Sequence, residues 1–112
     1  MKTDQEIKQI ANKYLSFLER KMNIKLLFFD GFDKKPYGNI FHYFAEKNYD
    51  RVNRKVYNSS YFLVEKTTGR IVTFGTQYPE EEYIKAYEDG VIDQPPCSTK
   101  YWYPDTETYS HE

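Results

Sequence analysis

Few residues in this chain are equipped for covalent or acid–base chemistry. Among 112 residues there are one cysteine, Cys97, and two histidines, His42 and His111. A single cysteine excludes an intrachain disulfide and suits a reducing compartment. Enzymatic catalysis needs a nucleophile, a base or a metal set gathered in one pocket, and the chain offers little to build it from. Charge is balanced as well: 16 basic residues face 17 acidic ones, a formal net charge of −1. No overall field therefore favours nucleic acid or an anionic membrane. The opening Met1-Lys2-Thr3-Asp4-Gln5-Glu6 is polar and leads into an amphipathic pattern. It lacks the unbroken apolar run of a signal peptide or a membrane span. These absences lead to the expectation of cytoplasmic residence, no membrane association and no cofactor.

What the chain has in excess is aromatic rings, 12 Tyr and 8 Phe, alongside 29% charged residues. Tyrosine joins an apolar ring to a polar tip, so it serves both a core and an interaction surface. The length fits one domain with one core.

Thr3 and Glu6 have capping-box spacing, which satisfies amide donors left free at a helix start. Ile7, Ile10, Ala11, Tyr14, Leu15, Phe17, Leu18 and Met22 then recur at three- and four-residue steps. The spacing predicts an amphipathic helix over about residues 4–22. Ile24–Phe29 is too short for a second long helix and reads as a strand. Residues 30–39 concentrate turn formers around Pro36 and read as a loop. Residues 40–47 alternate as a second strand.

Tyr61–Lys66 and Ile71–Thr76 are apolar runs rich in aromatic and β-branched residues, separated by Thr67-Thr68-Gly69-Arg70. They predict a β-hairpin whose loop places Gly69 at positive φ, in the manner of a three-residue loop with a bulge. Pro79, then Glu80, Glu81 and Glu82, then Gly90 punctuate a helix. Beyond Gly90 the double proline Pro95-Pro96 and a polar end suggest an extended C-terminal tail over 91–112, with Tyr101-Trp102-Tyr103 tying it down or meeting a partner. The expected architecture is one α+β domain over residues 1–90. Its N-terminal helix packs on a four-stranded, mostly antiparallel sheet, cystatin-like in shape. Ile10, Tyr14, Leu18, Leu26, Phe28, Phe44, Phe62, Val64, Val72 and Phe74 form the expected core.

No catalytic or metal-ligating residue stands out. His42, mid-strand among aromatics, reads as a structural histidine. Cys97 has no basic neighbour to lower its thiol pKa, and the three glutamates suit the positive end of a helix. The connection over 48–60 is different, because Tyr49, Arg51, Arg54 and Tyr57, with Lys55, interleave rings and cations. Three readings stand side by side: a solvated loop, a nucleic-acid track, and a protein interface anchored by Tyr and Arg.

Residues 62–88 carry a family resemblance. Phe62-Leu63-Val64-Glu65-Lys66, Thr68-Gly69, Ile71-Val72-Thr73-Phe74-Gly75-Thr76, Pro79, Glu81-Glu82-Tyr83-Ile84 and Tyr87-Glu88 resemble the pattern of a bacterial polymorphic-toxin immunity family, immunity protein thirty-five. Asn58-Ser59-Ser60-Tyr61 stands where that family has a Gly-rich segment followed by Pro. The resemblance implies a small cytoplasmic protein that neutralises a cognate toxin by binding it, without chemistry of its own. The alternatives are a chaperone-like or housekeeping protein-interaction domain and a small nucleic-acid-binding module. Tyr49, Arg51, Arg54 and Tyr57 are the expected partner-binding residues.

Overall fold

The computed structural model describes residues 1–75, 77–90 and 100–110. Helix α1 runs Asp4–Met22. Thr3 Oγ1 accepts from the Glu6 amide at 3.2 Å while Glu6 accepts from the Thr3 amide at 2.9 Å, closing the expected capping box. Asn23 ends the helix at φ 54°, a left-handed position that asparagine tolerates. Nine strands follow: β1 Leu26–Phe28, β2 Asp33–Lys35, β3 Gly38–Ala45, β4 Tyr49–Asp50, β5 Lys55–Val56, β6 Ser60–Glu65, β7 Ile71–Thr73, β8 Lys100–Tyr103 and β9 Thr108–Ser110. Helix α2, Glu80–Glu88, lies between β7 and β8. Among the described residues no helix is long and apolar enough to cross a membrane.

The protein is α+β, with its sheet antiparallel throughout. Seven strands form that sheet in the order β1-β3-β6-β7-β8-β9, and β2 joins the same edge of β3 as β1. The expected count of four is corrected on two sides. At one, Pro36 does not interrupt pairing, because it sits with Tyr37 in the turn and leaves Lys35 to pair with Gly38. Gly38 is required there, since a Cβ would collide with the Val64 carbonyl of β6. At the other side the expected tail over 91–112 lies partly outside the described residues, but 100–110 belong to the sheet. There β8 pairs with β7 and β9 with β8. The hairpin of β6 and β7 stands as expected with Gly69 at φ 76°. Its loop has four residues, 66–69, closed by the Glu65 amide donating to the Arg70 carbonyl.

Strand alternation sends successive side chains to opposite faces, and both faces are covered. On one face Ile7, Ala11, Tyr14 and Leu18 of α1 pack on Leu26, Phe41, Ala45, Phe62, Val64, Ile71 and Trp102. On the other Ile84 of α2 packs with Ile40, Leu63, Val72 and Tyr101, with Phe74 against them. Of the expected core, Tyr14, Leu18, Leu26, Phe62, Val64 and Val72 are buried, while Ile10, Phe28 and Phe74 are partly buried at the cluster margins. Phe44 lies outside both clusters, its ring between those of Phe29 and Tyr49. Trp102 anchors the α1 side instead. It is fully buried, with its ring 4.9 Å from Tyr14 and 5.3 Å from Phe17.

Glu65 ends β6 as one of the two buried polar residues among those described. It accepts from Arg70 Nε at 2.5 Å, from Thr68 Oγ1 at 2.7 Å and from the Tyr87 hydroxyl of α2. The Arg70 guanidinium stacks 3.8 Å from the Tyr101 ring of β8. Burial pushes the Glu65 pKa up, but the donors Arg70, Tyr87 and Thr68 together with the Arg70 charge outweigh it and hold the carboxyl below its usual range.

Two outcomes are expected in urea unfolding. Trp102→Ala opens a large cavity and costs about 3–5 kcal/mol. Arg70→Met leaves Glu65 buried without its cation and costs about 3 kcal/mol at neutral pH. Because Glu65 has a depressed folded pKa, its contribution is complete above its unfolded pKa and is lost as pH falls through the folded one. Wild type and Arg70→Met should therefore converge in acid.

Candidate partner-binding site

The connection between β3 and β6, read as irregular from sequence, contains a one-turn 3₁₀ helix, Glu46–Asn48, and a separate two-stranded ribbon. Tyr49 pairs with Val56 and Asp50 with Lys55. Strands this short have little pairing energy of their own, and the turn between them is fastened by a side chain. Asp50 Oδ1 accepts from the amides of Val52 and Asn53 at 3.0 and 3.2 Å, and Oδ2 accepts from Asn53 Nδ2 at 2.8 Å. Asparagine and aspartate make such local turns readily. The bonds from Asn53 and Val52 hold the Asp50 pKa below its ordinary value. Arg54 takes φ 52° at the end of the turn and Asn58 φ 59° at the ribbon's exit. The Tyr57 amide closes the base by donating to the Asn48 carbonyl at 3.0 Å.

All four sequence-predicted residues are brought onto this ribbon, and all are exposed. Tyr49 is in its first strand, Arg51 and Arg54 are in its turn, and Tyr57 follows its second strand. The Lys55 ammonium lies 5.4 Å from the centre of the Tyr57 ring. Val52, which the sequence reading passed over, stands at the tip with 91% of its surface exposed. At the base, Tyr49, Phe44 and Phe29 make a continuous aromatic strip, with ring centres 6.3 and 4.9 Å apart. Phe29, also exposed, was read as a strand residue without a surface role. The composition of 48–60 was the only signal available. It identified rings and cations but neither the fastened turn nor the strip through Phe44 of β3 and Phe29 that continues it.

The remaining candidates fall elsewhere. Cys97 and His111 lie outside the described residues. His42 is half-buried on the α2 side of β3, where its Nε2 meets both oxygens of Glu80 at 2.9 and 3.0 Å. A cleft of about 290 Å³ opens at the ends of β6 and β7, lined by Tyr14, Tyr43, Tyr61, Phe74 and Tyr78 among others. Its lining provides rings and hydroxyls and neither imidazole nor carboxylate. The ribbon combines exposed rings, exposed cations and a fixed backbone. Such a surface can stack its rings and pair its cations with a partner.

No family model, curated protein or solved structure matches the chain.

Asp50→Ala should release the turn without touching either core. Amide exchange at Val52 and Asn53 is expected to accelerate in NMR spectra, with the urea midpoint of the whole domain unchanged. A lowered midpoint would make the ribbon part of the cooperative fold.

Proposed function

We propose that this protein is a non-catalytic immunity protein that binds and neutralises a cognate bacterial toxin in the cytoplasm. The observation that carries this reading is the fastened ribbon over 49–57, with Val52, Arg51, Arg54, Lys55 and Tyr57 presented to solvent. Tyr and Arg anchors surrounded by cations suit a partner with an acidic or nucleic-acid-processing surface, which they would both steer and cover. Blocking needs rigid complementarity, and a turn held by Asp50 loses little freedom on binding. Stable interfaces cover about 800 Å² on each partner. The aromatic strip through Phe44 to Phe29 extends the ribbon toward that size. The likeness of residues 62–88 to the immunity family supports the same reading. The cystatin-like comparison belongs to this proposal too, in that a long N-terminal helix lies across an antiparallel sheet.

Co-expression with the protein encoded immediately beside its gene tests the reading through growth rescue and co-purification. A stoichiometric complex and rescue are expected. Arg54→Glu should keep the fold yet weaken the complex by about 30-fold, a hot-spot effect. Rescue untouched by both Arg54→Glu and Tyr57→Ala would remove the ribbon from the interface. Binding of oligonucleotides that weakens steeply with salt would replace the toxin by nucleic acid.

A further inference from the structure

On the α2 side of the sheet, three elements bring ligating groups to one point. Asp33 of β2 pairs with Ile40 of β3, and His42 is the next β3 residue on that face. Glu80 opens α2 above them. One ligand atom from each of Asp33, His42 and Glu80 lies within 4.8 Å of the others. Bonds of about 2.0–2.2 Å to a tetrahedral zinc-class ion place neighbouring ligand atoms about 3.3–3.6 Å apart. The His42–Glu80 pair, at 2.9 Å, needs to open by about 0.4 Å or a little more to reach that spacing. Asp33 is exposed and can rotate inward, and its carboxylate has no hydrogen bond or ion pair among the described residues.

An ion pair between His42 and Glu80 would need no Asp33. A second, unsatisfied carboxylate beside the imidazole is what a divalent cation would use and an ion pair would not. We propose that Asp33, His42 and Glu80 form a binding site for a borderline first-row divalent cation of the zinc class. Imidazole nitrogen and carboxylate oxygen are both ligands that such ions accept. Openings of about 300 and 500 Å³ flank the three residues, leaving room for water or a partner's donor at the remaining coordination positions. Asp30, Glu81 and Glu88 line those openings together with Lys35 and Lys85, so the surroundings are of mixed charge. A bound ion would clip the hairpin of β2 and β3 to the first turn of α2. Because such an ion binds the folded chain and not the unfolded one, it raises the unfolding temperature by mass action.

The test uses the full untagged chain, cleared of metal by chelation and titrated with Zn²⁺ and Co²⁺. Calorimetry should give one ion per chain, thermal unfolding should move upward with Zn²⁺ concentration, and Co²⁺ should develop visible absorption bands. Asp33→Asn, at an exposed position, should abolish saturable binding without changing the metal-free unfolding temperature, and His42→Gln should abolish it too. Asp30→Asn should leave it intact. Absence of saturable binding, or binding that survives both Asp33→Asn and His42→Gln, overturns the site. An unfolding temperature lowered by Glu80→Gln but indifferent to Zn²⁺ reduces it to an ion pair.

Discussion

A carboxylate taken out of water must find donors, and the way Glu65 finds them sets the arrangement of half the molecule. Its partners come from the β6–β7 loop through Thr68 and Arg70 and from α2 through Tyr87. Arg70 extends the same contact to β8 by stacking on Tyr101. Separating any of these elements exposes a charge to an apolar surrounding with too few bonds, a penalty comparable to the loss of a large core side chain. The hairpin, the second helix and the returning strand are thereby held in one register relative to each other. Gly38 completes the corner, because only a residue without a side chain lets β3 pass the Val64 carbonyl.

With α1 on one face and α2 on the other, the sheet buries aromatic and aliphatic residues in both directions. That leaves little apolar surface on the layers themselves. The exposed rings and cations of the ribbon are displaced to a connection, the place where a rigid scaffold usually positions variable loops. The ribbon leaves the sheet after β3 and returns at β6, the central strand pair with the longest register. It is therefore mounted on the least yielding part of the fold while its own backbone faces water.

Those parts of the fold whose causes are local were readable from sequence. Thr3 and Glu6 name the start of α1 within four residues of each other. Gly69 marks a turn, and Pro79 with the glutamates marks the start of α2. What escaped depended on distant partners. Tyr101-Trp102-Tyr103 is a short aromatic group between Pro95-Pro96 and a polar end, and only β7 gives it the identity of a strand. Ribbon strands of two residues have no period to detect, and their pairing comes from the Asp50 side chain. On the ribbon, the sequence singles out Tyr49, Arg51, Arg54 and Tyr57 by residue type. It does not single out the Phe29 and Phe44 continuation, since strand alternation alone does not say which aromatic is left uncovered. Asp33, His42 and Glu80 come from separate elements, with His42 and Glu80 38 positions apart. No spacing rule joins them.

Amide hydrogen exchange of the full chain, alone and with the product of the neighbouring gene, tests most directly whether the ribbon is the recognition element. If it is, protection appears at residues 49–57 and at Phe29, while exchange beneath α1 and α2 is unchanged. Protection gathered instead on the outer faces of those helices, with the ribbon exchanging as fast as before, would contradict the account.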